Sequence, residues 1–144
     1  MALVPIRYQF AERTGLHRDD ANWLIVEGRV RDGDLFWKLA DPCLTTQDAR
    51  WLSDWLRAAA APTADPRALE PTFFTEPNVA LEFVGQAGDE VTIVVSFSHE
   101  SAPPGADEEV RYGDGHPVRL VLTRAALAAA ADDWDQELAR FPDR

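Results

Sequence analysis

Three histidines, one cysteine and a few carboxylates at element boundaries are the residues of this 144-residue chain that could do chemistry. His17, His99 and His116 stand at no zinc-site spacing with one another or with Cys43, such as an i, i+4 pair on a helix, so no metal ligand set is expected. His99-Glu100 follows a strong strand, and Glu76 would approach it if the two strands pair. Glu76 and His99 would then form a general acid–base pair for a small hydrolase or isomerase. Polar groups at strand ends are more often solvated or loop-binding, and that reading is preferred, so no catalytic residue is assigned. No G-x-S-x-G elbow occurs and Cys43 has no His beside it in sequence, so it reads as a small buried hydrophobe. Gly85, Gly88, Gly113 and Gly115 are hairpin and loop glycines rather than a phosphate cradle, and no cofactor is expected.

Hydrophobic periodicity supplies the elements that would position these residues. Ile6 to Glu12 reads as a short strand ending at Thr14-Gly15, and His17 to Ala21 as a loop. Leu24, Val26 and Val30 share one face of a strand spanning Asn22 to Arg31. Asp32-Gly33 is a hairpin signal, and Leu35, Trp37 and Leu39 alternate on the return. That strand is expected to stop at Asp41-Pro42, because proline cannot donate to a ladder. Thr45 with Asp48 resembles a capping box, opening a helix with Ala49, Leu52, Leu56 and Ala59 on its apolar stripe. Thr72 to Glu76 and Val79 to Val84 read as strands broken or bulged at Pro77-Asn78. Val91, Ile93, Val95 and Phe97 mark the clearest strand, Ser101 to Gly115 a long acidic loop, and Val118 to Leu122 a further strand. Thr123 caps a last helix whose stripe is Leu127, Ala130, Ala131, Trp134, Leu138 and Phe141. Trp51, Trp55 and Trp134 fall at helical core spacing and read as packing. Asp41 is expected to cap the coming helix, and Glu76 to tie down a buried bulge.

Consecutive strands joined by tight turns argue an antiparallel α+β arrangement. The expected fold is one domain over residues 1–144: a single curved sheet of six or seven strands with two amphipathic helices, at about 45–61 and 124–140, packed on it.

Net charge is −11, and it is unevenly placed: residues 1–60 sum to −1 and residues 61–144 to −10. Glu100, Asp107, Glu108, Glu109 and Asp114 cluster around one loop, and Asp132, Asp133, Asp135 and Glu137 along the last helix. Such a surface repels nucleic acid and anionic lipid and attracts a basic partner. The plain alternative is that acidity keeps the chain soluble. Met1 to Phe10 lacks a basic start and a continuous apolar run, and no stretch approaches the roughly 18 apolar residues of a membrane span. A cytoplasmic protein is expected, a monomer or a weak homo-oligomer. Thirteen arginines against one lysine, with abundant alanine, fit a GC-rich bacterial genome.

Several segments, taken in order, resemble a known family. They are Ala21-Asn22-Trp23-Leu24, Asp41-Pro42-Cys43-Leu44-Thr45 leading into a Trp/Leu helix, Phe74-Thr75-Glu76-Pro77-Asn78, Phe97 to Pro104 with its double proline, and Trp134 to Pro142. This order is similar to that of the WapI-type immunity proteins, over about Tyr8 to Arg144. The resemblance implies a non-enzymatic protein that binds and neutralises the toxic C-terminal domain of a secreted toxin. Such domains are often basic nucleases, and the acidic residues Glu100, Asp107, Glu108, Glu109, Asp114, Asp132 and Asp133 are the expected contacts. The remaining possibilities are the Glu76/His99 enzyme and a ligand- or protein-binding domain of another kind.

Overall fold

The computed structural model describes residues 1–12, 15 and 17–144. In chain order its elements are β1 (Ala2–Tyr8), α1 (Arg18–Ala21), β2 (Trp23–Asp32), β3 (Leu35–Thr45), α2 (Thr46–Ala60), β4 (Val79–Ala87), β5 (Glu90–Phe97), α3 (Glu108–Tyr112), β6 (His116–Thr123) and α4 (Arg124–Leu138). A single 3-10 turn, His99–Ser101, follows β5.

The α+β class and the antiparallel pairing stand, but the single sheet does not. The strands form two three-stranded sheets, ordered β1-β2-β3 and β4-β5-β6. Tight turns at Gly33 and Gly88, both with positive φ, close the β2–β3 and β4–β5 hairpins. The chain between β3 and β4 is taken up by α2 and a loop, so nothing local forces those two strands to pair. Buried apolar side chains from both sheets, α2 and α4 nevertheless form one connected core.

Strand β5 sits in the middle of its sheet and buries Val91, Ile93, Val95 and Phe97 on one face. Phe97 is fully buried, which stabilises the fold by about 1.5–3 kcal/mol relative to an exposed ring. Helix α2 starts where its cap chemistry requires. Thr45 Oγ1 accepts from the Asp48 amide at 3.1 Å, and the Asp48 carboxylate accepts from the Thr45 amide at 3.0 Å. Thr123 caps α4 through the Ala126 amide at 3.1 Å. The two long helices lie against one another, and the Trp134 indole N–H donates to the Ala49 carbonyl at 2.7 Å.

Several boundaries differ from expectation. Strand β1 is Ala2–Tyr8 rather than Ile6 to Glu12; Pro5 is accommodated because β1 is an outer strand with a register shift beside it. The expected strand end at Thr14-Gly15 involves Thr14, which lies outside the described residues. Residues 18–21 form a short helix instead of a loop. Strand β3 runs on through Pro42 to Thr45, because it too is an outer strand and Cys43 bulges out of register next to the proline. Thr72 to Glu76 is not a strand; Thr72 instead exchanges bonds with Leu81, its amide donating at 2.9 Å and its hydroxyl accepting at 2.8 Å. The bulge in β4 lies between Phe83 and Gly85 rather than at Pro77-Asn78. Trp55 and Trp134 are buried, whereas Trp51 is exposed and meets Phe74 edge-on at 5.7 Å. Ala130 of the α4 stripe is also exposed.

Candidate partner-binding surface

The segment from His99 to Gly115 carries five of the seven expected contact residues, and its anchors hold it in place. Just after β5, His99 takes a positive φ of 51°, a conformation His tolerates better than bulkier residues. Arg111 Nη1 donates to its carbonyl at 2.7 Å, tying α3 back to this turn. Ser101 is completely buried: its carbonyl accepts from the Trp37 indole N–H at 3.1 Å, and its hydroxyl donates to Asp41 at 3.3 Å. These bonds fasten the segment to β3. Gly115, with φ 79°, brings the backbone against Phe97, where a Cβ would stand 3.0 Å from the Phe97 carbonyl oxygen. His116 bonds Asp32 at 2.9 Å and meets Trp37 edge-on.

On this base the expected acidic loop contains a helix. Asp107 caps α3, accepting from the Val110 amide at 2.8 Å. Glu108 and Glu109 occupy the first turn, where the helix dipole favours negative charge. Asp107, Glu108, Glu109 and Asp114 are all exposed, as is Glu100, which accepts from the Asn78 side chain at 3.2 Å. Tyr112, 67% exposed and edge-on to His99, stands among them. The periodicity did not mark Tyr112; an aromatic inside an acidic, proline-flanked loop was the available signal.

Asp132 and Asp133 sit elsewhere, on α4, which rests on α2, β1 and β6 while the loop rests on β3. Asp132 is already paired: Arg57 reaches Asp132 at 2.8 Å and Asp135 at 2.7 Å. Burial opposes the charge on Asp135, but hydrogen bonds from Ser53 and Arg57 outweigh it and hold the carboxyl below its ordinary range. Glu137 pairs with Arg140 at 2.6 Å. Asp133 has no ion pair among the described residues.

The other candidate chemistry is placed as follows. No hydrogen bond or ion pair joins Glu76 to His99 among the described residues; the His99 ring lies by Ser98 and Tyr112, and Glu76 is on an exposed turn. Asp41 does not cap α2, whose N-cap is Thr45 with Asp48 completing the box; burial raises the Asp41 pKa, and the Ser101 hydroxyl partly offsets this. Asn78, rather than Glu76, ties down the chain before β4, through Glu100 and through its carbonyl to the Ser98 amide. Cys43 is buried, and desolvation first and Asp41 second push its thiol up to about 12, so no thiolate forms near neutrality. No group of His, Cys, Asp and Glu suited to a metal occurs among the described residues. Among the described residues no helix is long and apolar enough to cross a membrane.

The chain is thus a small antiparallel α+β scaffold whose exposed acidic segment is hydrogen-bonded to β3 through Trp37 and Asp41. Residues 1–142 match the model of the immunity protein WapI-like family, and the chain belongs to that family. No curated protein and no solved structure gives a significant match.

Proposed function

We propose that this chain is an immunity protein that binds and neutralises a cognate, basic toxin domain in the cytoplasm of the producing cell, using its acidic surface. The observation that carries this reading is the family match across residues 1–142. The acidic segment supports it, because Glu100, Asp107, Glu108, Glu109 and Asp114 project from a base fixed by Trp37, Ser101 and Arg111. Such preorganisation lowers the ordering cost of binding. Tyr112 adds a large aromatic contact of the kind that dominates interfaces. On α4, Asp133 is the carboxylate open to a partner, and Asp132 contributes less because Arg57 neutralises it. A specific complex would bury about 1,200–2,000 Å².

The test is co-expression with the C-terminal domain of a large secreted protein encoded next to this chain. The wild-type chain is expected to restore growth and to co-purify with that domain. Reversing Glu108, Glu109, Asp132 and Asp133 to Lys should slow association at low ionic strength at least about tenfold, since complementary charge acts mainly on encounter. No protection by the wild type would end the immunity reading. Undiminished association by the reversed variant would end the acidic-surface reading alone.

A further inference from the structure

A second surface lies away from the acidic segment. Between the start of β1 and the later half of β6 is a cleft of about 430 Å³, with α4 along one side. Leu3, Val4, Leu120 and Leu122 line its walls, and Leu127 and Trp134 lie deeper. In the neighbouring central strand Ile93 is buried, whereas Leu120 and Leu122 are only half-buried and Val4 is exposed. The core leaves these side chains partly uncovered.

Both strands beside the cleft are the outer strands of their sheets. Each therefore has a row of backbone N–H and C=O groups with no strand neighbour, which is a template for an added strand. Pairing of that kind supplies main-chain hydrogen bonds, while a pocket beneath selects alternate side chains. On the α4 side the lining ends in Asp133 and Glu137, four residues apart and so on one helix face. Glu137 shares its charge with Arg140, and Asp133 with no described group. A second copy of the chain would bring its own net charge of −11 against these carboxylates. A segment with a cationic end meets them favourably.

We propose that the open edge of β6 and this cleft take an extended apolar segment of the protein partner, with a Lys or Arg of that segment held by Asp133 and Glu137. This rests on the reading that the chain works by binding a protein. It divides the labour between two surfaces: the acidic segment steers encounter, and the cleft slows release.

The test uses isotope-labelled protein and two synthetic peptides, acetyl-Lys-Val-Thr-Val-Thr-Val-Lys-amide and the same peptide with Glu at both ends. The lysine peptide is expected to shift the amides of residues 2–4 and 118–122 saturably. The glutamate peptide should bind at least about tenfold more weakly, the sum of lost attraction and added repulsion. Leu122→Asp and Asp133→Lys should each weaken the lysine peptide. Should Leu122→Asp fail to fold, Asp133→Lys, a change at an exposed helix position, carries the same test. No shifts at these amides, equal binding of both peptides, or movement of the same amides on raising the protein concentration alone would each overturn the proposal. No toxin is present in this assay, so its failure leaves the immunity reading intact, and failed protection of cells leaves the cleft result intact.

Discussion

Replacing Gly28 by alanine probes the packing beneath β1. Gly28 lies in the central strand of its sheet, opposite Leu3 on one side and Leu39 on the other. Its φ is not positive, so conformational freedom is not why glycine stands there. A Cβ at this position would stand 2.6 Å from Leu39 Cγ and 2.9 Å from Leu3 Cδ2, far inside van der Waals contact. In open surroundings Gly→Ala stabilises by about 0.4–1 kcal/mol, because the unfolded chain loses freedom. Here the methyl must displace the buried Leu39 and the half-buried Leu3, and overpacking of this kind costs about 1–3 kcal/mol. The second effect is larger, so the expected result is a net loss of about 1–2 kcal/mol. For a domain of this size each kcal/mol lowers the melting temperature by about 2–4 °C. Urea unfolding should show a lower midpoint with an unchanged slope. Leu39→Ala alone should cost about 2–5 kcal/mol, but in the Gly28→Ala background the new methyl fills part of the void. The double variant should then fall short of the sum by at least about 0.5 kcal/mol. A neutral or stabilising Gly28→Ala, or strict additivity in the double variant, would refute this account of the packing.

Trp37→Phe removes the donor to the buried Ser101 carbonyl and should cost about 1–3 kcal/mol. Because that bond anchors the acidic segment, cleavage after Glu108 and Glu109 by a glutamate-specific protease should accelerate in the native state; unchanged cleavage would show that the anchor lies elsewhere. Acid should weaken the link between α2 and α4. Asp135 has a lowered pKa in the fold, so its contribution is complete above the unfolded carboxylate value of about 3.9 and is lost as pH falls through the folded value. Asp41, raised by burial, acts in the opposite direction, protonation favouring the fold as pH falls. Arg57→Gln should therefore flatten the acid limb in urea midpoints measured from about pH 5 to about pH 2, and an unaltered limb would remove Asp135 as its cause.

Local chemistry was legible where it acts locally. Asp32-Gly33, the Thr45–Asp48 box, Thr123 and the alternation of Val91 to Phe97 each declare an element within a few residues. What escaped depended on distance or on position in a sheet. Pro42 reads as a strand terminator unless β3 is known to be an outer strand with a bulge beside it. Two sheets and one sheet demand the same alternation from every strand, so whether β3 or β1 continues into the second sheet leaves no mark in the sequence. The same holds for the surface. The acidity of residues 100–114 is plain in the sequence, but Arg57 lies 75 residues from the Asp132 it neutralises. The half-covered Leu120 and Leu122 look like any inward pair on a strand. Some of the short segments that carry the family resemblance hold residues that meet in the fold. Asp41 meets Ser101, and Asn78 meets Glu100.

The contact between α2 and α4 also sets an order of events in folding. The β2–β3, β4–β5 and β5–β6 pairings close across short separations, whereas the bond from Trp134 to Ala49 spans 85 residues. Closure of a long span is entropically late, and its reward arrives only after the hairpins exist. Contacts of Leu52, Leu56 and Leu127 across the two helices are therefore expected to form later than the strand pairings. Changes confined to the α2–α4 contact should accelerate unfolding far more than they slow refolding. The helix pair is therefore expected to act on the lifetime of the folded chain more than on its rate of formation.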